Sequence, residues 1–540
     1  MNSPRTGMNR VVRCSCALAG VLLLGACAIS PDPISDGQHL ARAQAERQKL
    51  YEAVPAIDGP LTLEEAIARA LRFNYDHRLA LLEQTLQNSQ LTLANFNMLP
   101  RLAANAGYTV RDVETASSSV SILTRRQSLE PSVSQDESRW TGDITFTWNL
   151  LDFGLSYFQA KQQADRALIA VERRRRVVNN MIREVRSAYW RAATAERLLP
   201  QIEPVINEAE KALEASREIE RDGLQAPVET LEYQRTILQV VSQLRRLRSD
   251  LSVAKSQLAS LVNIPPGTSF AIAAAGLERM PVPQPPTAPL AELELYGLTL
   301  RPELREEVYQ ERVDRQNVYR EILRMVPGVS LFAGPNYDSN SYLVNNQWNE
   351  AGFRVTWNLI GLLQGPKAVE VAESQGAVTA ARRLALSIAV ITQINISYQQ
   401  FLQAREAYRT AQAISDVEAK ITSLTRGGND AQAVPELERI RRSTSAIAAE
   451  LERDRALSEL QGAVSNIYVA IGMDPLPAGA QSDDYHILRE QVRASLVRME
   501  SGMLPALPQP EPPASEKAAE PTMPLSTGIP MSQILPAPVT

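Results

Sequence analysis

The tetrapeptide Thr-Trp-Asn-Leu occurs twice, at 147–150 and 356–359, and the chain around each copy reads alike. Each copy follows a helical stretch that closes on an apolar residue and proline, Leu99-Pro100 and Val326-Pro327. An alternating stretch, a polar loop and a second alternating stretch come next, and the tetrapeptide ends the last of these. Roughly 65 residues of helical character follow, then a break and another helix. Trp148 and Trp357 are offset by 209 residues, and so are Tyr189 and Tyr398. A chance tetrapeptide would not keep that register. The sequence therefore specifies one unit written twice, which limits topology more than any single motif does. The copies run over 61–264 and 293–475, joined by a connector at 265–292 that is rich in proline. A short extension, 27–60, precedes them, and 476–540 follows, proline-rich and expected to be disordered from about 501.

The strands are expected at 103–113, 139–150, 329–337 and 348–359. Ile144, Phe146 and Trp148 alternate with polar residues, and Phe353, Val355 and Trp357 repeat the pattern. Period two with polar partners gives one apolar and one wet face. Such a face suits a half-buried soluble hairpin. It equally suits an outer-membrane barrel, with lipid on one side and a water-filled bore on the other. On the second reading Trp140, Trp148, Trp348 and Trp357, near strand ends, are candidates for an interfacial aromatic girdle.

The helical stretches carry heptad seams. Leu244, Leu247, Leu251, Ala254, Leu258 and Leu261 are spaced 3-4-3-4-3, and Leu460, Val464, Ile467 and Ile471 continue the habit in the second copy. Lengths add a constraint. One helix from 155 to 222 would reach ~100 Å, and the two flanking helices, 61–98 and 228–263, ~55 Å each. A long helix beside two shorter ones in line makes an elongated wall rather than a globule. Pro200 and Pro204 should kink or split the long helix. The breaks at 221–227 and 426–430, with Gly223, Leu224, Gly427 and Gly428, read as hairpin tips. The four arginines at 173–176 cover every side of a helix and are expected to form a solvated patch.

Composition removes several functions. The 56 basic and 61 acidic residues give a net charge of -5, without the basic footprint of a nucleic-acid binder. Three histidines are scattered, and all three cysteines fall within the first 27 residues, so no metal site is expected. The acidic residues lack the His or Cys partners of a catalytic constellation, so neither an enzyme nor a cofactor is expected. No stretch of ~18 uninterrupted apolar residues marks a transmembrane helix.

Residues 1–26 form a secretory leader: Arg5, Arg10 and Arg13, an eleven-residue apolar run at 14–24, then Gly25-Ala26. Leu24-Gly25-Ala26-Cys27 resembles a bacterial lipobox. The resemblance implies cleavage before Cys27 and its acylation, with Ala28 pointing to outer-membrane routing.

Taken together, the duplication, the prolines at 100 and 327, the two Thr-Trp-Asn-Leu strand ends, the Gly223-Leu224 tip with the 229–236 segment after it, and Arg301-Pro302-Glu303-Leu304 resemble the TolC family of outer-membrane factors over about 61–475. The fold implied is mainly α with a β-barrel portion: a homotrimer whose twelve-stranded barrel continues as an α-helical coiled-coil barrel in the periplasm. The function implied is the exit duct of a tripartite efflux or type I secretion system in the outer membrane. Its implied partners are a periplasmic adaptor protein, an inner-membrane transporter reached through it, and outer-membrane lipid. Gly223, Leu224, Gly427 and Gly428 become the adaptor-contact candidates. Glu438 is the candidate pore-constriction acid, although Pro435 stands where the family pattern expects another. A lipid-anchored periplasmic coiled-coil scaffold without a pore is the alternative. A tail cut after about Asp484 is expected to leave transport intact.

Overall fold

The computed structural model of the chain describes residues 31–52, 54–127, 130–222, 226–273, 282–430, 436–474, 485–507 and 509. In the first copy, α1 (Asp36–Glu52) leads to α2 (Leu63–Phe73) and α3 (Tyr75–Phe96). Strand β1 (Arg101–Val110), a small hairpin of β2 (Ala116–Ser117) and β3 (Ser132–Val133), and β4 (Ser138–Asn149) follow. Then come the long α4 (Leu150–Arg221), α5 (Pro227–Ser252) and α6 (Ala254–Leu261). The second copy runs α7 (Leu290–Leu300), α8 (Pro302–Leu323), β5 (Gly328–Asp338), β6 (Gln347–Thr356), α9 (Leu359–Asp430) and α10 (Glu436–Ala470), with α11 (Tyr485–Glu500) after it.

The repeated tetrapeptide is the strand-to-helix switch. Asn149 Oδ1 accepts from the N–H groups of Leu151 and Asp152 at 2.9 and 3.2 Å, which caps α4. Asn358 Oδ1 accepts from Gly361 N at 2.9 Å at the start of α9. An asparagine cap satisfies donors that a helix start leaves unpaired, so the sequence Trp-Asn-Leu closes a strand and opens a rod. Both rods hold 72 residues, ~108 Å at 1.5 Å per residue.

Several expectations are corrected. The helix expected at 61–98 is split, because Asn74 ends α2 and its Oδ1 caps α3 by accepting from Asp76 N and His77 N. The helix expected at 228–263 is likewise divided at Val253. Pro200 and Pro204 do not divide α4. They lie four residues apart on its exposed side, where water can serve the carbonyls they leave free, while Leu198, Ile202 and Ile206 opposite are buried. The second rod continues through Gly427 and Gly428 to Asp430 instead of ending at them; a mid-helix glycine costs only about 1 kcal/mol.

The four main strands form one antiparallel sheet in the order β1-β4-β5-β6, so the two copies meet at β4 and β5. One register holds across the sheet, with Leu102 opposite Phe146, Phe146 opposite Ala333 and Ala333 opposite Ala351, and it resumes unchanged after the β4–β5 pairing skips Ile144 and Thr145. The helices next to the strands repeat that order side by side: α3, α4, α8, α9. Beyond them the layer is α5, α4, α10, α9. The short rods join in line at two matching corners. Asn74 Nδ2 donates to Leu261 O at 3.2 Å, and Arg301 Nη1 to Ala470 O at 3.2 Å. The corner residues Asn263 and Gly472, again 209 apart, both take left-handed backbone, φ 57° and 71°. At Gly472 a side chain would lie 2.5 Å from Arg301 N, so glycine is required there.

Apolar burial concentrates in a belt at these corners. One core gathers α2, the middle of α4, the end of α5, α6 and α11; a second gathers α7, α9 and the end of α10. A third, small core lies toward the tips, with Ala209, Leu213, Ile237 and Ile440. Composition alone makes the segment after 484 a dispensable extension, and the structure corrects this. Leu488, Val492 and Leu496 of α11 are buried in the first core. Leu504 and Leu507 pack on the second, and Thr287 N donates to Gly502 O at 3.0 Å. The disorder expected from about 501 is thus corrected over 501–507, which this packing holds in place, and the rest of the expectation, from 510 on, lies outside the described residues.

Candidate functional site

The sheet has two unlike faces, and its own chain leaves both largely open. Side chains alternate across a strand, so the register sorts them. Leu102, Tyr108, Trp140, Ile144, Phe146, Trp148, Leu331, Phe353 and Val355 share one face, and most of them are exposed, Phe353 by 72% and Leu102 by 74%. The other face carries Asn105, Arg139, Thr141, Asp143, Thr145, Thr147, Asn336, Glu350 and Arg354. A soluble hairpin would bury its apolar side on its own core; this one has no cover. The outer loops are tied together instead, with Asp136 Oδ2 accepting from Ser341 N at 2.6 Å and Asn340 Nδ2 donating to Ser134 O at 3.0 Å. The bonds from the Ser341 backbone and hydroxyl hold the Asp136 carboxyl below its ordinary pKa.

The layer of helices is equally unfinished at its sides. Leu79, Leu82, Leu86, Leu93 and Phe96 of α3 are spaced 3-4-7-3 and all exposed, opposite the Ala80 and Ala94 that face α4. On α9, Ile360, Leu363, Val371, Val378, Ile388 and Ile396 are exposed, and at 100° per residue they fall within about a 100° arc. Part of α9 is long and apolar enough to cross a membrane by length and composition, yet little of that stretch is buried. A criterion of uninterrupted apolar runs misses it, because Ser, Thr and Gln punctuate the helix. The same criterion misses the α3 seam, for which the 3-4-7-3 spacing is the available signal.

The arginine run is not the solvated patch expected. Arg175 is largely buried, with Nε bonded to both oxygens of Asp474 at 3.2 and 2.9 Å and a second contact to Glu172. Arg173 Nε donates to Glu306 Oε1 at 2.7 Å, and Arg176 lies 3.7 Å from Glu306. Burial pushes the Glu172 carboxyl up against the pull of Arg175 and Arg305. Four consecutive residues cover every side of the helix, so part of the run must point inward, where it meets acids from the second copy. The run locks α4 to the in-line corner where α10 ends and α8 begins.

The remaining candidates are placed as follows. Cys27, Gly223 and Leu224 lie outside the described residues. Gly427 and Gly428 are in the last turns of α9. Glu438 lies in the first turn of α10 and accepts from Arg442 Nε at 2.7 Å, while its neighbour Arg439 pairs with Glu208 of α4. Trp140 packs against Tyr108 with the rings tilted and 4.6 Å apart, and Trp148 meets Phe153 edge-on at 5.7 Å, both tryptophans on the apolar face. Trp357 Nε1 donates to Met325 O at 3.0 Å, tying β6 to the end of α8. Trp348 differs: paired with Asn336, it belongs to the polar face. Among the described residues no group of three His, Cys, Asp or Glu could hold a metal.

The chain combines an antiparallel four-stranded sheet with paired 72-residue helices that continue it. Three solved structures match it: the CmeC outer membrane channel of Campylobacter jejuni (TM-score 0.60, 12% identity, 88% of this chain and 98% of that one); CusC, whose structures concern transmembrane channel formation (0.59, 14%, 78% and 96%); and the MtrE outer membrane channel of Neisseria gonorrhoeae (0.58, 18%, 76% and 89%). No curated protein matches the sequence. Residues 66–263, the first copy, match the outer membrane efflux protein family. The chain thus shares the fold of these channels, and its first copy carries the efflux-protein sequence pattern, in line with the TolC-like resemblance of its motifs.

Proposed function

We propose that this chain is the outer-membrane exit duct of a tripartite efflux or type I secretion system, working as a homotrimer. One observation carries the reading: sheet and helix layer end on the same two unpaired sides, β1 with α3 and β6 with α9, and both sides of the helix layer are bare apolar seams. Copies joined head to tail satisfy both at once, and a heterologous contact of this kind closes into a ring. Closure removes the free edges, whose unpaired backbone groups would each cost several kcal/mol in lipid. Three copies give twelve strands and twelve helices at each level. At ~4.8 Å between strands tilted by ~40°, the barrel is about 25 Å across between backbones. Twelve helices at ~9.5 Å make a cylinder about 35 Å across. The apolar face then meets lipid, with Trp140, Trp148 and Trp357 toward its borders, and the polar face lines the bore.

The helix tips, with Gly223, Leu224, Gly427 and Gly428, meet a periplasmic adaptor that links the duct to an inner-membrane pump. Glu438 narrows the pore end; its bond to Arg442 holds the carboxylate in place. Acylated Cys27 tethers the chain to the outer membrane. The protein performs no chemistry, and the pump supplies the energy.

Purified protein in a planar bilayer should show stepwise conductance and run as a trimer. A silent bilayer over a monodisperse monomer would fit the scaffold without a pore instead. Cys27→Ser should abolish palmitate incorporation while leaving the trimer and its conductance in place, because the strands supply their own contact with lipid. Undiminished labelling of the variant would remove Cys27 as the acylation site.

A further inference from the structure

Trp348 and Phe332 are the large aromatics that fall on the polar face, Phe332 opposite Thr147 toward the helices and Trp348 near the loop end. The strand partner of Trp348 is Asn336; Asn336 pairs with Asp143, and Asp143 with Asn105. The row Asn105–Asp143–Asn336–Trp348 crosses all four strands on the polar face, one residue from the loop end of β6. The ring is 43% exposed.

The charges near the ring are of one sign. Asp143 is fixed by Asn105 Nδ2 at 2.9 Å and Thr145 Oγ1 at 2.7 Å, and Glu350 follows two residues after Trp348 on the same face. Neither carboxylate is ion-paired among the described residues. Of the cations on this face, Arg139 is engaged by Asp338 at 3.1 Å, and Arg101 and Arg354 lie toward the helix end of the sheet.

We propose that Trp348 faces the bore rather than lipid and, with Asp143 and Glu350, makes the outer end of the barrel a binding site for flat organic cations. This rests on the duct reading above. An aromatic face attracts cations through its quadrupole, Trp most strongly, and the two carboxylates exclude anions of the same shape. Three copies would set three such sites around the exit, giving the duct a preference for cationic aromatic cargo at its last step.

The chain's own cysteines all lie within residues 1–27, so an introduced thiol reports cleanly. In outer membranes, Trp348→Cys should react with a membrane-impermeant thiol reagent, while Ile144→Cys, on the apolar face beside Asp143, should be protected. In planar bilayers, benzyltrimethylammonium should block the wild-type channel transiently and benzenesulfonate should not. Trp348→Ala should raise the conductance and weaken the block about 2- to 30-fold, the factor of one cation–π contact, with Trp348→Phe in between. A conducting channel in which Trp348→Cys is protected, or in which both ions block alike, would overturn the assignment and leave the duct reading standing. No conductance from any variant or the wild type would overturn both.

Discussion

Replacing Leu82 and Leu86 by arginine should leave a folded monomer and no trimer. Both side chains are more than half exposed in the single chain, at 58% and 54%, so nothing inside the protomer is lost. In the ring they would pack against the α9 stripe of the next copy. Burying one leucine contributes about 1.5–3 kcal/mol, and each of three interfaces would lose two, on the order of 10–20 kcal/mol per trimer. Two guanidinium groups forced into an apolar seam add to that. Circular dichroism should show unchanged helix content while size-exclusion chromatography in detergent shows only monomer. A trimer that persists would mean that α3 does not form the contact between copies, and the ring would need other edges.

That seam also shows where reading the sequence stops. The 3-4-7-3 spacing of leucines on α3 resembles the 3-4-3-4-3 spacing on α5 and α6, but one is bare and the other meets its own chain. Period reports that a helix has an apolar stripe; it does not say which molecule covers it. The duplication, the four strands and the two rods are legible because each has its own local signal: alternation, helix-forming composition, and an asparagine cap that ends a strand. The split at Asn74 escapes because asparagine can be passed over inside a helical pattern, and only the bonds it accepts from Asp76 and His77 reveal a cap. The prolines of α4 mislead because their cost depends on which side faces water. Proximity to a turn groups Trp348 with the other strand-end tryptophans, whereas parity puts it with Asn336 and Asp143.

The tail gives the second large effect, and it reverses the expectation from composition. A chain ending after Asp484 loses α11, and with it Leu488, Val492 and Leu496, at 4%, 2% and 8% exposure. At about 1.5–3 kcal/mol each, the apolar burial forfeited is about 5–9 kcal/mol, comparable with the whole stability of a typical domain, about 5–15 kcal/mol. Polar links go too: Tyr468 Oη donates to Met499 O at 2.6 Å, and the Tyr485 ring lies 5.9 Å from the Arg69 guanidinium. Arg69 is itself buried and holds Pro55 O and Ala56 O at 2.9 Å each, so the segment leading into α2 would loosen with it. The cut at 484 should therefore give little or no assembled trimer and a lowered thermal transition, whereas a cut after 510 should match the full chain in both. Equal trimer yield from the two truncations would show that α11 is dispensable and that the first core closes without it. A trimer already lost on cutting after 510 would instead assign a structural role to the proline-rich residues beyond that point.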